Sequence, residues 1–278
     1  MSAVGQTPAA NQASVAQRIE STIGEIGAAT LDLLRAMRDM YSVFVQTLYY
    51  TVRGKREPGA VVQQMYEIGN KSVFFVTVVM GFIGLIGIYQ TGTQAARVLP
   101  DYSLMGATYL QLLLREIAPS VGAMIIATRV GAGIAAEIGS MVVTEQVDAL
   151  RMCAADPIDF LIKPRFIASV VMTTALIIWI CTVMFFAGGV TAWSFFGVPF
   201  RTFFDLSVVQ TGDVVICLTK CLAYGAAIPV VSGYCGLTTF GGSEGVGWAT
   251  TRAVVNSSLA VVFLDFLISV GGYIIFFS

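Results

Sequence analysis

Residues 166–192 read FIASVVMTTALIIWICTVMFFAGGVTA, an uninterrupted run in which no side chain is charged. A transmembrane helix needs about 20 consecutive apolar residues, so this run is long enough to cross a bilayer. Four further apolar runs reach that length, at 72–92, 104–136, 213–235 and 254–277. The sequence therefore predicts an all-α integral membrane protein with five transmembrane helices. The second run is longer than a perpendicular crossing requires, so we expect it to tilt or to protrude from the bilayer.

The composition leads to the same class of protein. Of the 278 residues, 56% are hydrophobic and only 12% are charged, whereas soluble domains carry roughly 25% charged residues. The sequence contains no histidine, which excludes histidine-assisted nucleophiles and histidine-ligated metals. The net charge of −1 argues against nucleic acid as a partner. We expect neither catalytic residues nor a metal site in this chain.

The N-terminal region differs from the rest of the chain. Residues 1–17 are small and polar, which predicts a disordered tail. Between residues 18 and 58, apolar side chains recur every three, four or seven residues opposite a charged face. This pattern predicts an amphipathic helix that lies on the membrane surface as an interfacial helix, with a helix packed on protein as the alternative. The transmembrane domain then occupies residues 59–278.

The basic residues predict the orientation of the spans. The N-terminal region and the segment near 137–165 are rich in lysine and arginine, whereas the loops near 93–103 and 193–212 contain only Arg97 and Arg201. Because cytoplasmic loops carry the excess of basic residues, the N-terminus is predicted to be cytoplasmic. Five crossings then place the C-terminus on the periplasmic, outer side.

Four ionisable residues lie deep inside the apolar runs: Arg115, Glu116, Lys220 and Asp265. A charge at the centre of a bilayer costs at least about 2.5–3.5 kcal/mol, so such side chains should pair and should face protein or a watery cavity. Lys220 and Asp265 are a plausible pair between helices, and Arg115 and Glu116 are each expected to find a partner on another helix. The alternative is a set of ion pairs that only lock the fold.

Two prolines also lie inside the apolar runs. Pro119 and Pro229 each remove a backbone hydrogen bond, which predicts a kink in the second and the fourth span.

The most polar segment between spans is 137–165, EIGSMVVTEQVDALRMCAADPIDFLIKPR. Glu145, Asp148 and Arg151 recur every three residues, which predicts a short amphipathic helix, with a solvated loop as the alternative. Asp156 followed by Pro157 predicts the start of a second short helix. The glycine-rich stretch at 241–247 is interpreted as a flexible connector. The sequence has no phosphate-binding motif of the type G-x-x-x-x-G-K-[ST], so any ATP that powers the protein is expected on another chain.

Three sequence motifs together point to a known family. They are LLREIAP at 113–119, AEIGSMVVTEQVDAL at 136–150 with the later Asp-Pro and Pro-Arg pairs, and EGVG at 244–247 followed by ATTR at 249–252. With these motifs the chain resembles, from about residue 60 to its end, the MlaE/YrbE permeases. These are the membrane subunits of MCE-type ABC lipid transporters.

The resemblance implies a specific assembly in the inner membrane. Such permeases form dimers, expected here as a homodimer, and carry a cytoplasmic coupling helix, here near 138–152, that docks on an ABC ATPase subunit. The implied docking residues are Glu137, Glu145, Gln146, Asp148 and Arg151. MCE-domain proteins on the outer side and a small cytoplasmic accessory subunit are the other implied partners. No cofactor is expected in this chain, because ATP and magnesium would be bound by the ATPase.

The resemblance also implies a cargo, phospholipid or another hydrophobic lipid, held in a cavity near the dimer interface. Arg115, Glu116, Lys220 and Asp265 match charged positions that the family carries inside the membrane. The implied function is that of a transport subunit, not an enzyme. Two alternatives are an ion-coupled carrier that uses Glu116 or Asp265 as its proton site, and a passive membrane anchor of an envelope complex.

Overall fold

The computed structural model of the protein describes residues 31, 34–54, 58–98, 105–205 and 208–276. The predicted tail 1–17 and the first part of the predicted surface helix lie outside these residues. The described chain divides into two compact units, with the boundary between Val45 and Gln46. In the first unit, residues 34–45 are helical and expose Leu34, Met37 and Tyr41, which recur at helical spacing. The chain is thus helical over that part of the predicted range, and the position of this helix on the membrane surface stays a prediction.

The second unit contains five helices that are long and apolar enough to cross a membrane, as the sequence predicted. They are Gly59–Gln94, Met105–Val143, Ile158–Phe196, Thr211–Leu237 and Gly242–Phe276, and we refer to them as the first to fifth spans. No strand occurs in the described residues. Turns of π-helix interrupt the first three spans, at Tyr66–Asn70, Leu113–Val121, Ala127–Gly131 and Ile158–Ile162. Two short helices, Gln146–Met152 and Phe200–Phe203, lie in the connections between spans.

The spans pack closely because small residues face their neighbours. The first span packs along the third, the fourth packs on both the third and the fifth, and the second contacts the fourth and fifth. A Cβ atom on Gly84 would lie 2.8 Å from the carbonyl oxygen of Met184, and one on Gly225 would lie 2.8 Å from Cα of Val170. Small residues of this kind allow the close backbone approach on which helix association in membranes depends.

The apolar excess of the composition lies on the outside of the bundle. Phe74 is 81% exposed, and large apolar side chains such as Phe82, Ile86, Phe263 and Phe266 are also exposed. Water would penalise this surface, since burying apolar area is the main favourable term in folding. The exposed faces therefore fit a hydrocarbon environment.

Two local predictions need correction. The helix predicted to start at Asp156 and Pro157 does start there, and Asp156 Oδ1 accepts a hydrogen bond of 2.8 Å from the backbone N–H of Ile158 as its cap, but the helix is not short, because it continues as the third span. The stretch 241–247 is not a flexible connector either. Gly241 and Gly242 make the turn with φ values of 85° and 77°, and the fifth span begins at Gly242. Glycine permits this turn because it has no Cβ.

Candidate functional site

A network of charged side chains lies inside the bundle and is centred on Lys220. The Lys220 side chain is completely buried on the fourth span. Its Nζ lies 2.7 Å from Asp265 Oδ1 on the fifth span and 3.0 Å from Glu116 Oε2 on the second. It also donates a 2.6 Å hydrogen bond to the backbone oxygen of Arg115. One ammonium group therefore joins three spans, and the structure forms the expected pair between Lys220 and Asp265.

Both carboxylates of this network have a second set of partners. Asp265 Oδ1 accepts hydrogen bonds from Ser120 Oγ at 2.8 Å and from the Tyr224 hydroxyl at 2.6 Å. Glu116 Oε1 accepts one from Ser269 Oγ at 3.1 Å. The two acids differ in exposure, since the Asp265 side chain is 22% exposed and the Glu116 side chain is 45% exposed. Glu116 thus lies at the edge of the network, on the surface of this single chain.

Arg115 pairs with a residue that the sequence reasoning missed. Its Nε donates to Asp213 Oδ1, and the Asp213 side chain is completely buried. Asp213 also accepts a 3.0 Å hydrogen bond from the backbone N–H of Gln210 and so belongs to the capping box that begins the fourth span. The sequence did contain a sign of this residue. Asp213 is the first residue of the apolar run 213–235, which also contains Lys220, and an ionisable residue in such a run is expected to need a partner. Arg115 and Glu116, although adjacent, reach different partners.

The two prolines lie where the sequence places them, each inside a helical span. Pro119 is in the π-helical turn Leu113–Val121. It follows Arg115 by four residues, and the backbone oxygen of Arg115 accepts the hydrogen bond from Lys220. Pro229 lies in Thr211–Leu237, which continues past it to Leu237. Pro119 therefore lies in the same helical turn as the carbonyl that binds Lys220.

The predicted docking residues lie on or near the short helix Gln146–Met152, which we call the connector helix. Val147 is 3% exposed and attaches this helix to the bundle, while Met152 is 89% exposed. Glu145, Gln146, Asp148 and Arg151 are also exposed, and Arg151 Nη1 lies 2.9 Å from Asp148 Oδ1. Residues 138–143 belong to the end of the second span and not to this helix. The connector helix is thus a short projection with one buried side chain.

Glu137 lies apart from the other predicted docking residues. It is on the second span, and its Oε1 lies 2.9 Å from Nη2 of Arg165, a third-span arginine that is 4% exposed. Arg165 Nη1 donates to the backbone oxygen of Leu161 at 2.5 Å. Glu137 therefore joins the two spans that flank the connector helix.

The segment that follows the connector helix is held by a tyrosine. The Tyr50 hydroxyl donates a 2.8 Å hydrogen bond to Asp156 Oδ2, while the other oxygen of Asp156 caps the third span. The hydrogen bond to this carboxylate raises the pKa of Tyr50, and the negative charge of Asp156 adds to the effect. Tyr50 is therefore a neutral donor at physiological pH.

Comparison with known proteins agrees with this architecture. The family model described as Permease MlaE matches residues 61–270, which include all five spans in large part, the Lys220 network and the connector helix. The chain belongs to the MlaE permease family. A probable ABC transporter permease protein of Synechocystis is 37% identical over 81% of this chain and 86% of its own length. A protein of the same description from Rickettsia typhi is 35% identical over 75% and 81%.

A further member of the MlaE permease family covers more of the chain. The intermembrane phospholipid transport system permease protein MlaE of Haemophilus influenzae is 30% identical over 90% of this chain and 97% of its own length. The resemblance inferred from the three sequence motifs is thereby confirmed. This chain is a multi-pass membrane protein of that family.

Proposed function

We propose that this chain is the membrane-spanning permease subunit of an ABC transporter that moves phospholipid between the inner membrane and the rest of the cell envelope. The observation that carries the proposal is the match to the MlaE permease family over residues 61–270. The Haemophilus influenzae relative, which aligns with 90% of this chain, is named for intermembrane phospholipid transport, and this name supports phospholipid as the cargo.

The energy for transport would come from a partner ATPase, since the relatives are described as ABC transporter permeases. The connector helix is the surface suited to dock that partner. Its exposed side is mixed, with the charges of Glu145, Asp148 and Arg151 beside the apolar side chain of Met152. Val147 packs the connector helix against the bundle, so a movement of the bound ATPase can be transmitted through this helix to the second and third spans that flank it. In this scheme the chain contributes no catalytic group, and ATP with its magnesium stays on the partner.

The lipid path would run past the Lys220 network. Glu116 is 45% exposed on the surface of one chain, yet it lies within an apolar span, where an exposed carboxylate is costly. A second copy of the chain, or a watery cavity between two copies, would remove that cost, which supports the expected homodimer. An MCE-domain protein on the outer side and a small cytoplasmic accessory subunit would complete the assembly.

The two alternatives differ from this proposal in what they require of the chain. An ion-coupled carrier would transport lipid without an ATPase, and the family relationship to ABC permeases does not favour it. A passive anchor would tolerate neutral substitutions in the Lys220 network, provided that the protein still folds, without any loss of lipid transport.

Co-purification in mild detergent tests the proposal. The chain should retain an ATPase subunit, and Glu145→Lys or Met152→Asp should release it, because each changes the exposed surface of the connector helix. Glu244→Lys is the matched control, since it makes the same charge change at an exposed residue in the first turn of the fifth span. If no ATPase is retained, or if the two connector variants bind it as well as the control does, the proposed function is wrong.

A further inference from the structure

A cavity of about 430 Å³ lies between the first and second spans, away from the Lys220 network. It has polar walls, and the volume falls within the range of about 300–1,000 Å³ typical of small-molecule sites. The residues that matter here are Gln63, Gln64, Glu67, Arg129, Gly133 and Glu137. A Cβ atom on Gly133 would meet nothing within 4 Å, so this position borders open space.

The charges around the cavity do not balance. Glu67 is neutralised by Lys71, whose Nζ lies 2.6 Å from its carboxylate, and Glu137 is neutralised by Arg165 at 2.9 Å. Arg129 has a different kind of partner: its Nη1 donates a 2.5 Å hydrogen bond to the hydroxyl of Ser72, which is neutral. Among the described residues, no carboxylate lies within salt-bridge distance of Arg129. The cavity therefore contains one guanidinium group whose charge this part of the chain leaves uncompensated.

The depth of Arg129 indicates which anion could compensate it. The hydroxyl that Arg129 contacts belongs to Ser72, the first residue of the apolar run 72–92. Arg129 is therefore level with one end of that apolar run. A lipid phosphate is the anion available at the end of a membrane-spanning apolar run, where the acyl chains end and the headgroups begin.

We propose that this cavity binds the headgroup of a membrane phospholipid, with the phosphodiester against Arg129. The amides of Gln63 and Gln64 supply further hydrogen-bond donors for the phosphate oxygens. Glu67 and Glu137 line the same cavity, and Glu137 lies eight residues beyond Arg129 on the second span. Because both acids already have cationic partners, the phosphate is the part of the headgroup that the cavity recognises. Arginine suits the phosphate because its planar donors match two oxygens at once.

This site extends the proposed function without depending on the Lys220 network or on the connector helix. It would hold a lipid at the end of the bundle that carries the connector helix, where the second span ends and the third begins. If that end is cytoplasmic, as the basic residues predict, the bound lipid belongs to the cytoplasmic leaflet.

Native mass spectrometry of the detergent-purified protein, with any partners that it retains, tests the site. The probe is dihexanoyl phosphatidylethanolamine, with dihexanoylglycerol and inorganic phosphate as the two comparison ligands. We expect Arg129→Gln to bind one phosphatidylethanolamine fewer per chain, or to bind it at least tenfold more weakly, and to bind dihexanoylglycerol like the unaltered protein. Arg201→Gln, at an exposed arginine beyond the other end of the third span, should bind like the unaltered protein.

A second variant keeps the test valid if Arg129→Gln does not fold. Gly133→Leu fills the cavity and leaves every charge in place, so it should lose the same lipid, whereas Gly247→Leu should not, because a Cβ there also meets nothing within 4 Å. Unchanged lipid binding in Gly133→Leu would refute the site, and so would displacement of the lipid by inorganic phosphate alone, which would identify an anion site. Loss of the ATPase with this lipid retained would contradict the proposed function and leave the site standing.

Discussion

Replacement of Lys220 by methionine is the most direct test of the charge network. The lysine is completely buried and serves three acceptors, with Nζ 2.6 Å from the Arg115 oxygen, 2.7 Å from Asp265 and 3.0 Å from Glu116. Methionine keeps an unbranched side chain that can fill the same space, but it removes the charge and all three donors. Two carboxylates and one carbonyl would then lose their shared partner.

The expected cost follows from what each acceptor retains. Removing one partner of a buried ion pair destabilises a protein by about 3–5 kcal/mol. Asp265 keeps its hydrogen bonds from Ser120 and Tyr224, and the partly exposed Glu116 keeps the one from Ser269. We therefore expect the lower end of the range for Lys220→Met, about 3 kcal/mol. Asp265→Asn leaves Lys220 with Glu116 and should cost about 1–2 kcal/mol. Glu116→Gln should cost about 1 kcal/mol, because Lys220 keeps Asp265 and the amide oxygen of glutamine can still accept a hydrogen bond.

Equilibrium unfolding in mixed micelles, followed by circular dichroism as the fraction of SDS rises, measures these free energies of unfolding. The double variant Lys220→Met/Asp265→Asn should cost less than the sum of the two single variants, because it removes both charges of one pair. The reasoning is refuted if Lys220→Met unfolds like the unaltered protein, or if Glu116→Gln is the more damaging substitution of the two.

Three further predictions concern the rest of the chain. Gly106→Ala should destabilise the protein by about 1–3 kcal/mol in the same unfolding assay, because the new Cβ atom would overlap the carbonyl oxygen of Phe203. Gly271→Ala is the control and should be neutral or stabilising, because a Cβ atom there meets nothing within 4 Å. Glu137→Gln should lower the free energy of unfolding by about 1–3 kcal/mol, because it leaves the buried Arg165 without its carboxylate partner. Asp148→Asn should lower it by only about 0–1 kcal/mol, because Asp148 and its partner Arg151 are both exposed. Equal losses would contradict the argument from burial. In an ultraviolet absorbance titration, the difference between the unaltered protein and Tyr50→Phe should show a tyrosine that ionises above the ordinary pKa of about 10, and Asp156→Asn should lower that pKa. Because the pKa of Tyr50 is raised in the folded protein, its hydrogen bond to Asp156 stabilises the fold at pH values below the ordinary tyrosine pKa, and this stabilisation is lost as the pH rises through the raised pKa. If Tyr50 ionises at the ordinary tyrosine pKa in the unaltered protein, the hydrogen bond does not form.

The spans were the most predictable part of the fold. Runs such as 166–192 must form helices in lipid, since every backbone polar group there needs a partner within its own segment, and the five spans were confirmed. Their ends were harder to predict. The second span continues to Val143 and the fifth begins at Gly242, because helices extend into polar sequence when nothing forces them to stop. For the same reason the helix predicted to begin at Asp156 does not stay short but continues as the third span.

The charge network was only half predictable. Arg115, Glu116, Lys220 and Asp265 stood out because an ionisable residue in an apolar run is expensive. Asp213 did not, because it lies at the edge of its run, where an acidic residue is ordinarily read as a helix cap. The functional roles of the network and of the residues around the connector helix stay predictions.

By itself, the sequence determined the class of this protein, the number of its spans, the family to which it belongs and the cost of the charges inside its membrane segments. These properties depend on composition, on runs of neighbouring residues and on local motifs. The tertiary structure alone decided which charges meet. It brings Lys220 to two acids from different spans and to the backbone carbonyl of Arg115, pairs Arg115 with Asp213, and leaves Arg129 beside a polar cavity with a neutral partner. The physical reason is that ion pairing depends on distances of a few ångströms between residues that lie 45 to 105 positions apart in the chain, and packing sets those distances.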